Sequence, residues 1–156
     1  MHDARKLLTF SVDDCRLALE VGAVERVVRA VAVTPLPGAP AVIAGVVDMH
    51  GRVVPVVDTR AALGLAGRPI RASDQLVVVA TRARTLALVV DAVGDVLEVE
   101  AGAVVSRDDV LDGLERVDGV LPTPSGLVLV HDAEDLLSAG DAADLGRAVE
   151  ALRGDG

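Results

Sequence analysis

The chain has 156 residues, a formal net charge of −9, 51% hydrophobic residues and 25% charged ones. That length suits one compact domain or two small ones, and Val, Leu and Ala must fill the core because Phe10 stands alone among Phe, Trp and Tyr. Acidic balance leaves no basic stripe to displace phosphate counterions, and the lack of aromatic side chains removes base stacking, so no nucleic-acid partner is expected.

Along the chain, residues 1–6 hold no long apolar stretch. No later run approaches the ~20 residues of a membrane span; the longest, residues 40–49, is broken by Asp48. Direct membrane insertion is not expected, and a cytoplasmic location is. Cys15, the single cysteine, permits no internal disulfide and suits a reducing compartment. Short Val-rich runs bounded by Gly, Pro and Asp predict strands over residues 7–12, 16–20, 24–28, 53–58, 75–80, 85–90, 96–99 and 127–131. A helical turn is expected after Ser106, which has capping-box spacing to Asp109. A C-terminal helix is predicted over 141–153, where Leu145, Ala148, Val149 and Leu152 recur at helical spacing with Asp141 as the candidate cap.

The strand pattern occurs twice. Leu17-Ala-Leu19 recurs as Leu86-Ala-Leu88, 69 residues on, and the match continues through Val24/Val93 and Val27/Val96. A second block recurs at a spacing of 74: Gly45-Val46 with Gly119-Val120, then Val54/Val128, Val56/Val130 and Asp58/Asp132. The extra residues of the second copy fall within 98–118, where a loop absorbs them at little entropic cost. Five short strands per copy are too few for a wide sandwich, and closing them removes exposed edges. The expected fold is therefore mainly β, with two small five-stranded barrels packed together. They occupy residues 7–66 and 75–137, exchange of strands between them being allowed, and the helix at 141–153 follows. Residues 64–74 read as the linker.

The search for chemistry predicts no enzyme. His2, His50 and His131 share no ligand spacing with one another or with Cys15, so no metal is expected. Cys15 reads as a half-buried strand residue rather than a nucleophile. Asp13-Asp14 suits a turn between strands and Asp108-Asp109 a helix start. Asp58 and Asp132, each ending an apolar strand, read as caps of the following turn. No phosphate-binding, nucleophile-elbow or dinucleotide motif is present, so no cofactor is expected.

The segment from Ala41 to Arg60, with Gly45-Val46, Asp48-Met-His50-Gly51 and Val54-Pro55-Val-Val-Asp58-Thr-Arg60, resembles the signature of the CheW family of chemotaxis coupling proteins. Leu36-Pro37 before it, Phe10-Ser-Val12 with Leu17-Ala-Leu19, Leu86-Ala-Leu-Val-Val-Asp91-Ala-Val93, Gly119-Val120, Gly126-Leu-Val-Leu129 and Asp132 to Leu137 extend the likeness over residues 7–137. The resemblance implies two SH3-like barrels of five strands each. It also implies a non-catalytic scaffold that couples the cytoplasmic tip of chemoreceptors to the regulatory domain of a CheA-like histidine kinase, recruited to receptor arrays. Partner-binding residues are expected at Val24, Arg26, Val27, Ala44, Asp48, His50 and Gly51, and across a groove at Val93 and Asp95. Two positions depart from the family pattern: its Arg before the Gly is here His50, and its acidic partner position is Arg26, with Glu25 one residue away. Losing one member of a buried pair costs about 3–5 kcal/mol, so joint loss points to a replacement arrangement and a divergent chemosensory system. The alternative reading is a small-molecule-binding barrel, or an interaction module outside chemotaxis.

Overall fold

Val-rich segments too short to satisfy their own backbone polar groups must pair with one another, and here they do so in two sheets. The computed structural model describes residues 4–106 and 118–154. Its strands are β1 (Ala4–Val12), β2 (Cys15–Glu20), β3 (Val24–Arg29), β4 (Ile43–Met49), β5 (Arg52–Asp58), β6 (Gln75–Ala80), β7 (Thr85–Val90), β8 (Ala92–Glu100), β9 (Val105–Ser106), β10 (Gly119–Thr123) and β11 (Gly126–Val130). One helical turn, α1 (Thr59–Ala62), follows β5, and α2 (Ala139–Gly154) ends the described chain.

Sheet one has the order β8-β1-β2-β11-β10-β9 and sheet two β3-β6-β7-β5-β4. Neither is drawn from one copy of the repeat. Sheet one joins the β1–β2 hairpin of the first copy to later strands of the second; sheet two joins the β6–β7 hairpin of the second copy to β3, β4 and β5 of the first. Their registers reproduce the repeat. Leu8 faces Leu19 and Phe10 faces Leu17 in one hairpin; Val77 faces Leu88 and Val79 faces Leu86 in the other. Val24 pairs with Val79 and Val27 with Val77, as Val93 pairs with Phe10 and Val96 with Leu8. Both of these pairings carry a bulge at the same place.

Each sheet curls until its outer strands approach. Past β3 the chain turns back so that Thr34 exchanges backbone hydrogen bonds of 2.9 and 2.8 Å with Val46 on β4. In sheet one the outer strands β8 and β9 are separated in the chain only by a 3-10 turn at Ala101–Ala103. Both closures rest on a glycine. A Cβ on Gly45 would overlap the Thr34 carbonyl oxygen and lie 2.7 Å from Val33 Cγ1; one on Gly119 would lie 2.6 Å from Val104 Cγ1 and 2.7 Å from the Val105 oxygen.

Three apolar clusters result. Val47, Val54, Val56, Leu76, Val78 and Ala87 fill the inside of sheet two, and Leu7, Ala18, Leu121, Val128 and Val130 the inside of sheet one. The largest lies between the sheets and takes Phe10, Leu17 and Leu19 from one, Val77, Leu86 and Leu88 from the other. Central strands are thus buried on both faces, which is why β6 and β7 read as continuous apolar runs without alternation. Helix α2 closes this shared core with Leu145 and Ala148.

The mainly-β fold with a C-terminal helix is as expected from sequence. Strands β4 and β10 were not among the predicted runs, because Gly45 and Asp48 interrupt one and Gly119 and Pro122 the other. Sheet one has a sixth strand, the two-residue β9, where five were expected. The helix is capped by Ser138, whose Oγ accepts from Asp141 N–H at 3.1 Å, so Asp141 sits in the first turn and is not the cap. Asp58 and Asp132 do cap, accepting from Ala61 N–H at 3.3 Å and Glu134 N–H at 2.9 Å. The helical turn expected after Ser106 lies outside the described residues, as do Asp108 and Asp109.

Candidate protein-binding site

β3 is an outer strand of sheet two and β8 an outer strand of sheet one. Cross-strand partners share a face, so Val24 and Val27, opposite Val79 and Val77, face the shared core. Val93, opposite Phe10, does the same from β8. The structure therefore brings Val24, Val27 and Val93 onto one apolar cluster. Arg26 and Asp95 lie apart from them: Arg26 is opposite Val78, on the face turned to the inside of sheet two, and Asp95 alternates with Val96 on β8. Ala44, on β4, packs against the inside of sheet two.

Asp48, His50 and Gly51 form the β4–β5 turn. His50 and Gly51 both have positive φ, 54° and 82°, the backbone that a two-residue type I′ hairpin requires. Asp48 holds the turn by accepting from Gly51 N–H at 2.9 Å. These residues present the turn at the end of sheet two, on the edge strand opposite β3.

Beside this turn an ion pair links β3 to β5. Glu25 is the extra residue of the β3 bulge, and a bulge re-aims its side chain. Its carboxylate accepts from Arg52 Nη2 at 2.9 Å and lies 3.5 Å from Thr85 Oγ1.

A second cluster was not singled out from the sequence. Arg60 on α1 reaches Asp13 at 2.7 Å and Asp91 at 2.9 Å; Arg68 in the linker reaches Asp91 at 2.6 Å and Asp74 at 2.8 Å. Asp13 N–H donates to Asp91 Oδ2 at 2.7 Å, which steadies Asp13 at a left-handed φ of 51°. Asp91 stands where the chain crosses from β7 in sheet two to β8 in sheet one, so the cluster ties both sheets to the linker. The hydrogen bond from Arg68 holds the Asp74 carboxyl below its usual range. Burial pushes Asp91 upward, but the Asp13 N–H and Arg60 outweigh it and the net shift is downward. Asp13 in turn raises Arg60. The sequence carried one signal: Arg60 and Asp91 both lie within the family motifs.

A pH dependence follows from the two depressed carboxyls. Their contribution to stability is fully present above the unfolded-chain value of about 3.9 and is lost as pH falls through the lower folded values. Thermal unfolding midpoints should stay level from neutrality to about pH 5 and fall below pH 4. A midpoint rising on acidification would contradict the assignment.

Among the described residues no three His, Cys, Asp or Glu side chains gather as a metal site requires, and no helix is long and apolar enough to cross a membrane. Cys15 is half-buried with a free thiol.

Comparison with known proteins agrees with this arrangement. The CheW-like domain model matches residues 6–141. The chain is 32% identical over 137 residues to a chemotaxis protein CheW of Rhizobium meliloti, covering 86% of this chain and 88% of that protein. It is 29% identical over 137 residues to the CheW of Bacillus subtilis, covering 85% and 86%. The crystal structure of the scaffolding protein TtCheW from Thermoanaerobacter tengcongensis superposes with a TM-score of 0.79 at 22% identity, covering 90% of this chain and 96% of that one, which shows the shared fold. With two interlocked sheets, a doubled register and a family model spanning most of its length, the chain belongs to the CheW-like domain family.

Proposed function

We propose that this chain is a non-catalytic adaptor of a bacterial chemosensory array, joining the cytoplasmic tip of a chemoreceptor to the regulatory domain of a CheA-like histidine kinase. The observation that carries this reading is the pair of outer strands, β3 and β8, which bring the half-buried Val24, Val27 and Val93 onto one apolar cluster between the sheets. Apolar positions rimmed by charge suit protein recognition. A small-molecule barrel is less well supported. The apolar cavity between the sheets, lined by Phe10, Leu17, Val57 and Leu88, is about 40 Å³, room for a water or two, and the hollow of about 460 Å³ beside Val31 and Ile70 is an open trough.

The Glu25–Arg52 pair and His50 support a receptor contact at the end of sheet two, and the altered corner fits a divergent receptor or kinase. Binding of a receptor cytoplasmic hairpin and of a kinase regulatory domain, measured separately, tests the reading. Arg52→Glu and His50→Glu are expected to weaken the hairpin several-fold and leave the kinase domain unaffected. Because the Glu25–Arg52 pair is exposed and worth about 0.2–1 kcal/mol, folding should be intact. Equal loss of both partners in a folded protein would sink the site assignment.

A further inference from the structure

We propose that sheet two carries a slot for an extended peptide of a partner protein, with small apolar residues and one carboxylate, between the chain after β3 and the linker before β6. The slot is separate from the cluster of Val24, Val27 and Val93 and does not depend on the adaptor reading.

The repeat shows that the slot is an interrupted ladder. In sheet one the β1–β8 pairing runs past Lys6–Glu98 to Arg5–Val99 and Ala4–Glu100. The equivalent β3–β6 pairing stops at Arg29–Gln75, followed by a single bond of 2.9 Å from Ala30 N–H to the Asp74 backbone oxygen. Val31 and Ser73, which stand at the repeat's spacing of 69 from Glu100 and Ala4, do not pair. Asp74 accounts for the break. Its N–H donates to the Arg71 backbone oxygen at 3.0 Å. Its carboxylate accepts from Arg71 N–H at 2.8 Å and from the Arg68 guanidinium at 2.9 and 2.8 Å. The linker is thereby folded into a turn, and the ladder is left open.

The opening is the hollow of about 460 Å³ walled by residues 30–33 and 70–72, with Ala44 of β4 also lining it. Val31 is 51% and Ile70 37% exposed, so each wall leaves a large apolar side chain in water. Among the described residues the backbone N–H and C=O groups of Val31, Ala32 and Val33 make no hydrogen bond. An added strand satisfies both needs at once, because its backbone pairs with the open groups while alternate side chains cover the apolar ones. A compact apolar ligand would cover Val31 and Ile70 and shut the backbone groups away from water unpaired, at a cost. Three residues at strand rise span about 10 Å, so a short segment suffices.

Charge narrows the occupant further. Among the described residues Arg71 is the one charged group lining the hollow. It is exposed, and its guanidinium makes no ion pair or hydrogen bond. A carboxylate on the peptide complements it, and an ammonium group there is penalised.

The test follows the backbone amide signals of the full chain by NMR as a capped peptide of alternating valine and threonine with one glutamate is added. Shifts are expected at residues 31–33 and 70–72, with slowed hydrogen exchange at Val31 to Val33. Replacing the glutamate by lysine should weaken binding by about three- to ten-fold; Arg71→Gln should remove that preference and Arg71→Glu reverse it. Methylating the peptide's backbone nitrogens leaves its side chains in place and should abolish binding, as should Val31→Asp in a folded protein. A peptide that does not bind, or binds equally well when methylated, would overturn the proposal. So would a preference for glutamate that survives Arg71→Glu. A dimer formed without peptide and dissolved by Val31→Asp would also overturn it, by assigning the hollow to a second copy of this chain. None of these outcomes touches the adaptor reading, which stands or falls on binding of the receptor hairpin and the kinase domain.

Discussion

Replacing Arg68 with alanine is expected to destabilise the protein by about 3–5 kcal/mol, the cost of stranding a buried charge. Its guanidinium makes two hydrogen bonds to Asp74, at 2.9 and 2.8 Å, and a third to Asp91 at 2.6 Å. The Asp74 side chain is only 2% exposed, and without Arg68 it keeps only its bond from Arg71 N–H at 2.8 Å. A linker otherwise rich in Gly, Ala and Pro would lose the side chain that fastens it. Urea denaturation of wild type and variant measures the difference, and the double variant Arg68→Ala, Asp74→Ala should recover a substantial part of it, since no stranded carboxylate remains. A loss below about 1 kcal/mol would place this pair with ordinary surface ion pairs and contradict its role.

The second large effect is expected at Gly45. Its φ is 152°, and an added Cβ would meet the Thr34 backbone oxygen and Val33 Cγ1. Backbone cannot swing aside as a flexible side chain does, so Gly45→Ala must break the Thr34–Val46 bonds that close sheet two or push the strands apart. Overpacking and a sparsely populated φ together suggest roughly 2–5 kcal/mol. Gly119→Ala should cost somewhat less, because its φ is ordinary and only the overlap with Val104 and Val105 remains. Gly22→Ala is the control: nothing lies within 4 Å of the added atom, and a change of under about 0.5 kcal/mol is expected. Equal effects at Gly22 and Gly45 would show that general backbone freedom, not close approach, explains these glycines.

The hairpins β1–β2 and β6–β7 were legible because their strands are local in sequence and each reads as a short, nearly continuous apolar run. The repeat was legible too, and it carried more than expected, since matched residues hold matched registers down to the bulges. Strand β4 was not, because Gly45 and Asp48 break its apolar run while the closure needs a glycine and the turn needs an acceptor. Two conflicting local signals there were both correct. The cluster of Arg60, Arg68, Asp74, Asp91 and Asp13 escaped notice for a different reason. Its members come from a hairpin turn, a helical turn, a linker and a crossing between sheets, and become neighbours only when each sheet borrows a hairpin from the other copy. The Glu25–Arg52 pair was hidden similarly: strict alternation sends Glu25 to the wrong face, and only the bulge returns it to a cation.

A protein that couples two others must do more than bind each one. The most direct measurement is the autophosphorylation rate of the histidine kinase, with chemoreceptor arrays present, as this protein is added. Receptor-dependent control of the rate is expected only when the protein is present, with no turnover by the protein alone, and Arg52→Glu is expected to diminish it. Receptor control of the kinase that is the same with and without the protein would contradict the account.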